Sequence, residues 1–295
     1  MHSGDLGPRD HDVTAAACHA LLADFSLGVA IKDVGELARA SAVVPPGTRV
    51  HVGFTGNVDL AVRAGVAREV GRSGFMPTPL IAARRLRSVG MLREYLAELR
   101  AVGATESMLV VGGDPDPPRG PYPDASAVIE SGLLEEYGVR QVSLAGHPGG
   151  HPAVADSVLW RALPAKAAAL ERHGLRGVVV TQFGFDAARV LAWLADVRAR
   201  GVSLPVRVSV PGPARARLLV SYAGRCGVDV SPAVANQYGL SLADPATDVG
   251  PERFIRALAT DYEPRLHGEV KLHFSTFGGF ATTAEWVCRF RDGRG

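Results

Sequence analysis

Short apolar runs recur along the chain, and after each one the apolar positions return every three or four residues. The clearest case is GVVVTQFGFD at 177–186. Gly177 to Val180 is small or β-branched and apolar throughout. It gives way to Thr181 and Gln182, then to an aromatic pair, and Asp186 opens a helical pattern. A continuous apolar run bounded in this way predicts a strand buried on both faces. Comparable runs predict strands over 25–31 (FSLGVAI), 49–54 (RVHVGF), 75–81, 107–111, 141–145, 205–210 and 269–275. The helical spacing predicts helices over 33–42, 59–72, 89–102, 125–134, 154–173, 186–200, 214–226, 232–242, 251–262 and 281–291. Pro77 and Pro79 cannot donate ladder bonds, so the third strand is expected to be irregular there. Residues 1–12 are rich in Gly, Pro, Asp and His and show no periodicity, which predicts a flexible arm. Residues 13–295 remain as one domain.

Eight strands, each followed by helix, imply parallel pairing through right-handed crossovers. The fold class predicted is α/β, a single-domain (β/α)8 TIM barrel. An open doubly wound sheet holding a dinucleotide would need GxGxxG in its first turn, and GVAIKDVG at 28–35 does not supply it. No GxxxxGK[ST] loop is present either.

Composition adds mostly exclusions. The chain has 295 residues, 47% hydrophobic and 21% charged, with 32 basic against 30 acidic side chains and a net charge of +2. That balance gives no electrostatic reason to expect nucleic acid or an anionic membrane as a partner. No apolar run approaches the roughly 18 residues of a membrane span. The polar, acidic N-terminus does not read as a secretory signal. Cys18, Cys226 and Cys288 are widely spaced and form neither a CxxC pair nor a zinc pattern, which fits reduced thiols in a cytoplasmic protein. Oligomeric state is left open.

In a barrel, polar residues at the C-terminal ends of strands form one rim. Here they are Asp114, His147 and His151, Thr181 and Gln182, and Ser275 and Thr276. Asp114 reads either as an Asx turn holding a Pro-rich loop or as an acceptor for the N–H groups of a flat heterocycle. Gln182 both donates and accepts, which suits an amide-bearing ring, and could equally bond a neighbouring strand end. Phe183 and Phe185 fit ligand stacking and helix packing equally well. His147 and His151 are four apart, but HPGGHP cannot be helical and no third ligand is suitably spaced, so no metal is expected. Lys166 falls in a long helix, where a solvated lysine is the default.

Taken together and in order, GGDPDPPRGPY (112–122), GHPGGHP (146–152), GVVVTQFGFD and HFSTFGGF (273–280) resemble the methylenetetrahydrofolate reductase family, over nearly the whole chain from about Phe25 to Trp286. The resemblance implies a (β/α)8 barrel that reduces 5,10-methylenetetrahydrofolate to 5-methyltetrahydrofolate with a nicotinamide hydride, usually relayed by FAD. It implies that Asp114 holds the pterin and that Gln182 contacts the folate. His151 and Lys166 match positions that touch FAD in the flavin-containing branch. Other flavin contacts are replaced: an Arg by Gly112, a His by Leu80, a Tyr by His147 and an acidic residue by Leu159. Losing donors for an anionic cofactor argues against bound FAD. The chain is thus similar to the short flavin-independent branch described for actinobacteria, in which NADH, or NADPH, would deliver hydride directly.

One departure bears on the chemistry. The family's strand-one glutamate, a general acid, falls on Gly28 in Ser26-Leu27-Gly28-Val29. General acid catalysis typically contributes about 10²–10⁴-fold, and glycine cannot provide it. Asp33 lies beyond the strand and Asp24 before it; His147 or Asp114 would have to take over. Three functions follow from these residues: a reductase with a relocated acid, a folate-dependent one-carbon transferase, or a non-catalytic folate-binding protein. The Arg-rich helix over 83–100 reads as a solvated face or as a contact for a polyglutamate tail.

Overall fold

The computed structural model describes residues 8–53, 58–240, 244 and 246–293. In chain order the elements are α1 (Pro8–Leu22), β1 (Ser26–Val29), a 3₁₀ turn (Ile31–Glu36), α2 (Leu37–Ala40), β2 (Arg49–Val52), α3 (Leu60–Arg72), β3 (Met76–Ala82), a 3₁₀ turn (Ala83–Arg85) and α4 (Val89–Ala101). Then follow β4 (Ser107–Val111), α5 (Ala125–Ile129), α6 (Leu133–Glu136), β5 (Gln141–Gly146), α7 (Asp156–Arg172), β6 (Arg176–Thr181), α8 (Ala187–Ala199) and β7 (Val206–Pro211). The chain closes with β8 (Ala214–Arg215), α9 (Ala216–Cys226), α10 (Pro232–Tyr238), β9 (Asp248–Val249), α11 (Glu252–Asp261), α12 (Pro264–His267), β10 (Val270–Ser275) and α13 (Phe280–Arg291).

Eight strands close in the order β1–β2–β3–β4–β5–β6–β7–β10, all neighbours parallel. This is the expected (β/α)8 barrel. The remaining two strands, β8 and β9, make a two-residue antiparallel clip outside it. The prolines of β3 leave the strand regular. Pro77 and Pro79 pair in register with β2, whereas pairing with β4 begins only at Leu80. They therefore sit where few donors are asked of them. The expected arm is corrected at its end: helix α1 opens at Pro8, inside 1–12, while residues 1–7 lie outside the described residues. Phe54, expected to end the second strand, also lies outside them.

Helix α1 packs against α11, α13 and β10, with Leu21 and Leu22 buried. Behind it Asp24 accepts from Arg49 Nη1 at 3.1 Å and Arg207 Nη2 at 2.5 Å, and Lys271 Nζ donates to the Ala20 carbonyl at 2.8 Å. The outer faces of the strands carry the apolar runs that meet the helices. Gly146 is needed there, because a Cβ would come within 2.7 Å of the Trp193 ring and 2.8 Å of Val179.

The inner face is different. Residues of one parity point to the axis, and register ties Gly28 to His51 to Thr78, Leu109 to Ser143 to Val178, and Ser209 to His273 to Ser26. Ser26, His51, Thr78, Ser107, Ser143, Ser209 and His273 are all buried. A layer usually filled by Val, Ile and Leu here carries, beside Leu109 and Val178, small polar groups and two imidazoles.

Candidate active site

Asp114 follows β4, after Gly113 turns the chain at φ +87°. Arg85, in the 3₁₀ turn after β3, donates through Nη2 to Asp114 Oδ2 at 2.8 Å. The carboxylate is 88% exposed and the guanidinium 17%, so Arg85 fixes an acceptor that still faces solvent. Gln182 follows β6. Its backbone N–H donates to the Gly146 carbonyl at 2.7 Å, and its side-chain Nε2 donates to the Cys226 carbonyl at 2.7 Å. That leaves the amide oxygen as the end without a partner among the described residues. Burial pushes the Cys226 thiol up; Arg225 lowers it and the charge of Asp114 raises it. Asp114 and Gln182 are therefore both near the end of α9.

An aromatic wall stands beside them. Phe183 is buried and meets Phe185 and Phe277 edge-on, at 6.0 and 5.0 Å between ring centroids. Phe277 stacks on Tyr222 at 4.2 Å, and Phe185 packs edge-on to Tyr238 at 4.8 Å. Phe183 is thus a wall residue with both neighbours aromatic. The partly exposed rings at this rim are Phe277 and Tyr222.

His147, His151 and Lys166 gather elsewhere. His147 and Lys166 line a cavity of about 260 Å³ between α7 and α8, with Leu159, Trp160, Arg189 and Trp193. Burial, helped by the nearby charges of His151 and Lys166, holds His147 down to about 4. Burial also lowers Lys166, opposed by Asp124. Lys166 is half-buried rather than the solvated lysine expected by default. The exposed His151 meets the His147 ring edge-on at 5.3 Å, and its Nδ1 accepts from Ala153 N–H at 3.2 Å. No group of three or more metal-ligating side chains exists among the described residues.

The sequence reading assigned no role to the histidines below the mouth. His51 and His273 have ring centroids 4.5 Å apart. Ser26 Oγ and His273 Nδ1 share a hydrogen bond of 2.9 Å, and Thr276 Oγ1 donates to the Gly28 carbonyl at 2.5 Å. Burial and the charge of Arg207 hold His273 down to about 3; burial, then His273, Arg207 and Arg49, hold His51 well below its ordinary value. The inward parity of His51 in RVHVGF was the signal available. Asp24 belongs to the opposite end of the barrel. Asp33 is buried in the turn after β1, where burial raises its carboxyl, and its nearest cation is Lys32 at 4.0 Å.

The sequence matches no protein-family profile. Among solved structures, it is similar to an uncharacterized protein of Clostridium thermocellum that binds two copies of 5-methyl-5,6,7,8-tetrahydrofolic acid. The TM-score is 0.63 at 8% identity, covering 91% of this chain and 94% of that one. The fold is shared. Dihydropteroate synthase of Thermus thermophilus aligns at a TM-score of 0.49 and 15% identity, over 91% of this chain and 93% of its own. No described helix of this barrel is long and apolar enough to cross a membrane. Chemically, the rim offers a fixed carboxylate and an amide oxygen beside an aromatic wall, which suit a flat heterocycle with N–H donors.

Proposed function

We propose that this barrel binds a reduced folate at its mouth and acts on the one-carbon unit, in the manner of a methylenetetrahydrofolate reductase without bound flavin. The observation that carries the reading is Asp114, held by Arg85 yet open to solvent, on the same rim as the free amide oxygen of Gln182. The motif resemblance and the barrel of the same shape that binds 5-methyltetrahydrofolic acid support it.

The donor set does not fit FAD. The wall beside Lys166 is Leu159, Trp160 and Trp193, Arg189 already donates to the Pro148 and Gly149 carbonyls, and the Lys166 ammonium is disfavoured by burial. Reduction would use NADH or NADPH directly. Asp114 would orient the pterin and Gln182 would accept from it. His147 sits in the outer cavity and is neutral at physiological pH, so it is a poor substitute acid.

A second reading has its own observation. Ring opening needs a proton, and the inward groups closest to Gly28 are imidazoles with depressed basicity. This favours a one-carbon transferase or a folate-binding protein on the same pocket. The test is NADH and NADPH oxidation with methylenetetrahydrofolate, alongside calorimetric titration with tetrahydrofolates. Methyltetrahydrofolate above background supports the reductase. Binding without that product supports the second reading. Absence of any folate binding overturns both.

A further inference from the structure

The histidine pair beneath the mouth is engaged by nothing in the functional reading. Gly28 lies between the strands that carry it. Gly28 itself is in register with His51 on β2, and Ser26 is in register with His273 on β10. The two rings meet, tilted by 37°. His273 is oriented through Nδ1 by Ser26, and its Nε2 lies 3.6 Å from where a Cβ on Gly28 would be. No described residue bonds Nε2 of either ring.

His51 Nδ1 is buried and has no partner. A buried N–H left bare is rarer and costlier than a bare acceptor, so the favoured tautomer carries its proton on Nε2. Burial, with Arg207 near both rings and Arg49 near His51, favours the uncharged imidazoles, which makes them hydrogen-bonding groups rather than cations, a role a neutral imidazole fills well. Thr78 Oγ1 and Ser107 Oγ, on the next two strands, are likewise buried without a partner. The inner layer therefore has more hydrogen-bonding capacity than the protein itself uses.

We propose that His51 and His273 are ligand-contacting residues: through their Nε2 atoms they floor the mouth with a donor and a donor-or-acceptor for the N–H and ring-nitrogen edge of a bound reduced pterin. This deepens the folate reading and rests on it. Ser26 is a positioning residue. Its hydroxyl either accepts from Nδ1 or donates to it, which decides whether His273 Nε2 accepts or donates.

The experiment is calorimetric titration with 5-methyl-5,6,7,8-tetrahydrofolic acid of the wild type, His51→Phe, His51→Gln and Ser26→Ala, with circular dichroism to confirm folding. His51→Phe is expected to lose at least about tenfold in affinity. His51→Gln keeps an uncharged amide donor and should lose less; Ser26→Ala should lose a few-fold. Long-range ¹H–¹⁵N spectra of the wild-type histidine side chains should show saturating folate shifting Nε2 of both rings more than Nδ1. Those spectra decide the matter if His51→Phe does not fold. Wild-type affinity in a folded His51→Phe, or Nε2 resonances unmoved by saturating ligand, would overturn the pair's role while leaving folate binding intact. A wild type that binds no folate overturns the folate reading and the pair's assignment with it.

Discussion

Asp114 is more useful as a charge than as a turn residue. Arg85 holds one carboxylate oxygen, and the group stays open to solvent. A charge-assisted hydrogen bond contributes about 1.5–3 kcal/mol, so Asp114→Ala should weaken tetrahydrofolate binding about ten- to hundredfold. Calorimetry checks this, and an unchanged affinity would remove Asp114 from the site. Gln182→Leu loses the amide oxygen and the bond to the Cys226 carbonyl together. It should weaken binding and also lower the melting temperature, whereas Asp114→Ala should leave melting nearly unchanged. Asp114 and Gln182 were legible in the sequence because polar residues after an apolar run must emerge at a strand end. His51 and His273 were not, because short strands of mixed character hide which parity faces the axis. A polar residue inside RVHVGF reads as an interruption of an apolar strand until the barrel closes around it.

At the level of elements, the strands that read most clearly were those with continuous apolar runs. Ser107–Val111 falls where its pattern placed it, since helices cover its outer face and neighbouring strands both edges. The β8–β9 clip escaped notice because two residues hold no periodicity. The segment expected as one helix over 125–134 divides into α5 and α6 around Gly132, whose φ of +70° breaks the helical path. Glycine matters most at Gly146. Gly146→Ala would press a methyl into Trp193 and Val179, an overpacking that typically costs about 1–3 kcal/mol. Urea denaturation should show a lower midpoint with an unchanged slope. A wild-type midpoint would mean that α8 yields easily at this contact.

For the whole molecule, four histidines held down by burial shape the response to acid. His51, His147, His267 and His273 all lie below the ordinary 6.5 when folded, His147 at about 4 and His273 at about 3. As pH falls through 6.5 the unfolded chain takes up their protons first. Stability present above 6.5 is then lost progressively toward the folded values, by about 1.4 kcal/mol per pH unit for each group. His173, bonded to Glu130 and Glu135, is raised and acts oppositely: its contribution is complete below 6.5 and fades at higher pH. Urea midpoints should therefore drop between pH 7 and pH 4.5, and His147→Gln should flatten that drop. An equally steep drop in the variant would show that His147 is not held neutral.

The clamp on Asp24 gives the barrel a direction. Arg49 and Arg207 hold Asp24 at the N-terminal end of the strands, and the polar inner layer lies between that clamp and the rim. Thr78 and Ser107 find no partner there among the described residues, so water bound to them would exchange with solvent through the mouth. Any molecule seated at the mouth then acts as a stopper. Its arrival should lengthen the residence time of the water beneath it, a kinetic trace that relaxation dispersion of water ¹⁷O could follow without observing the ligand at all.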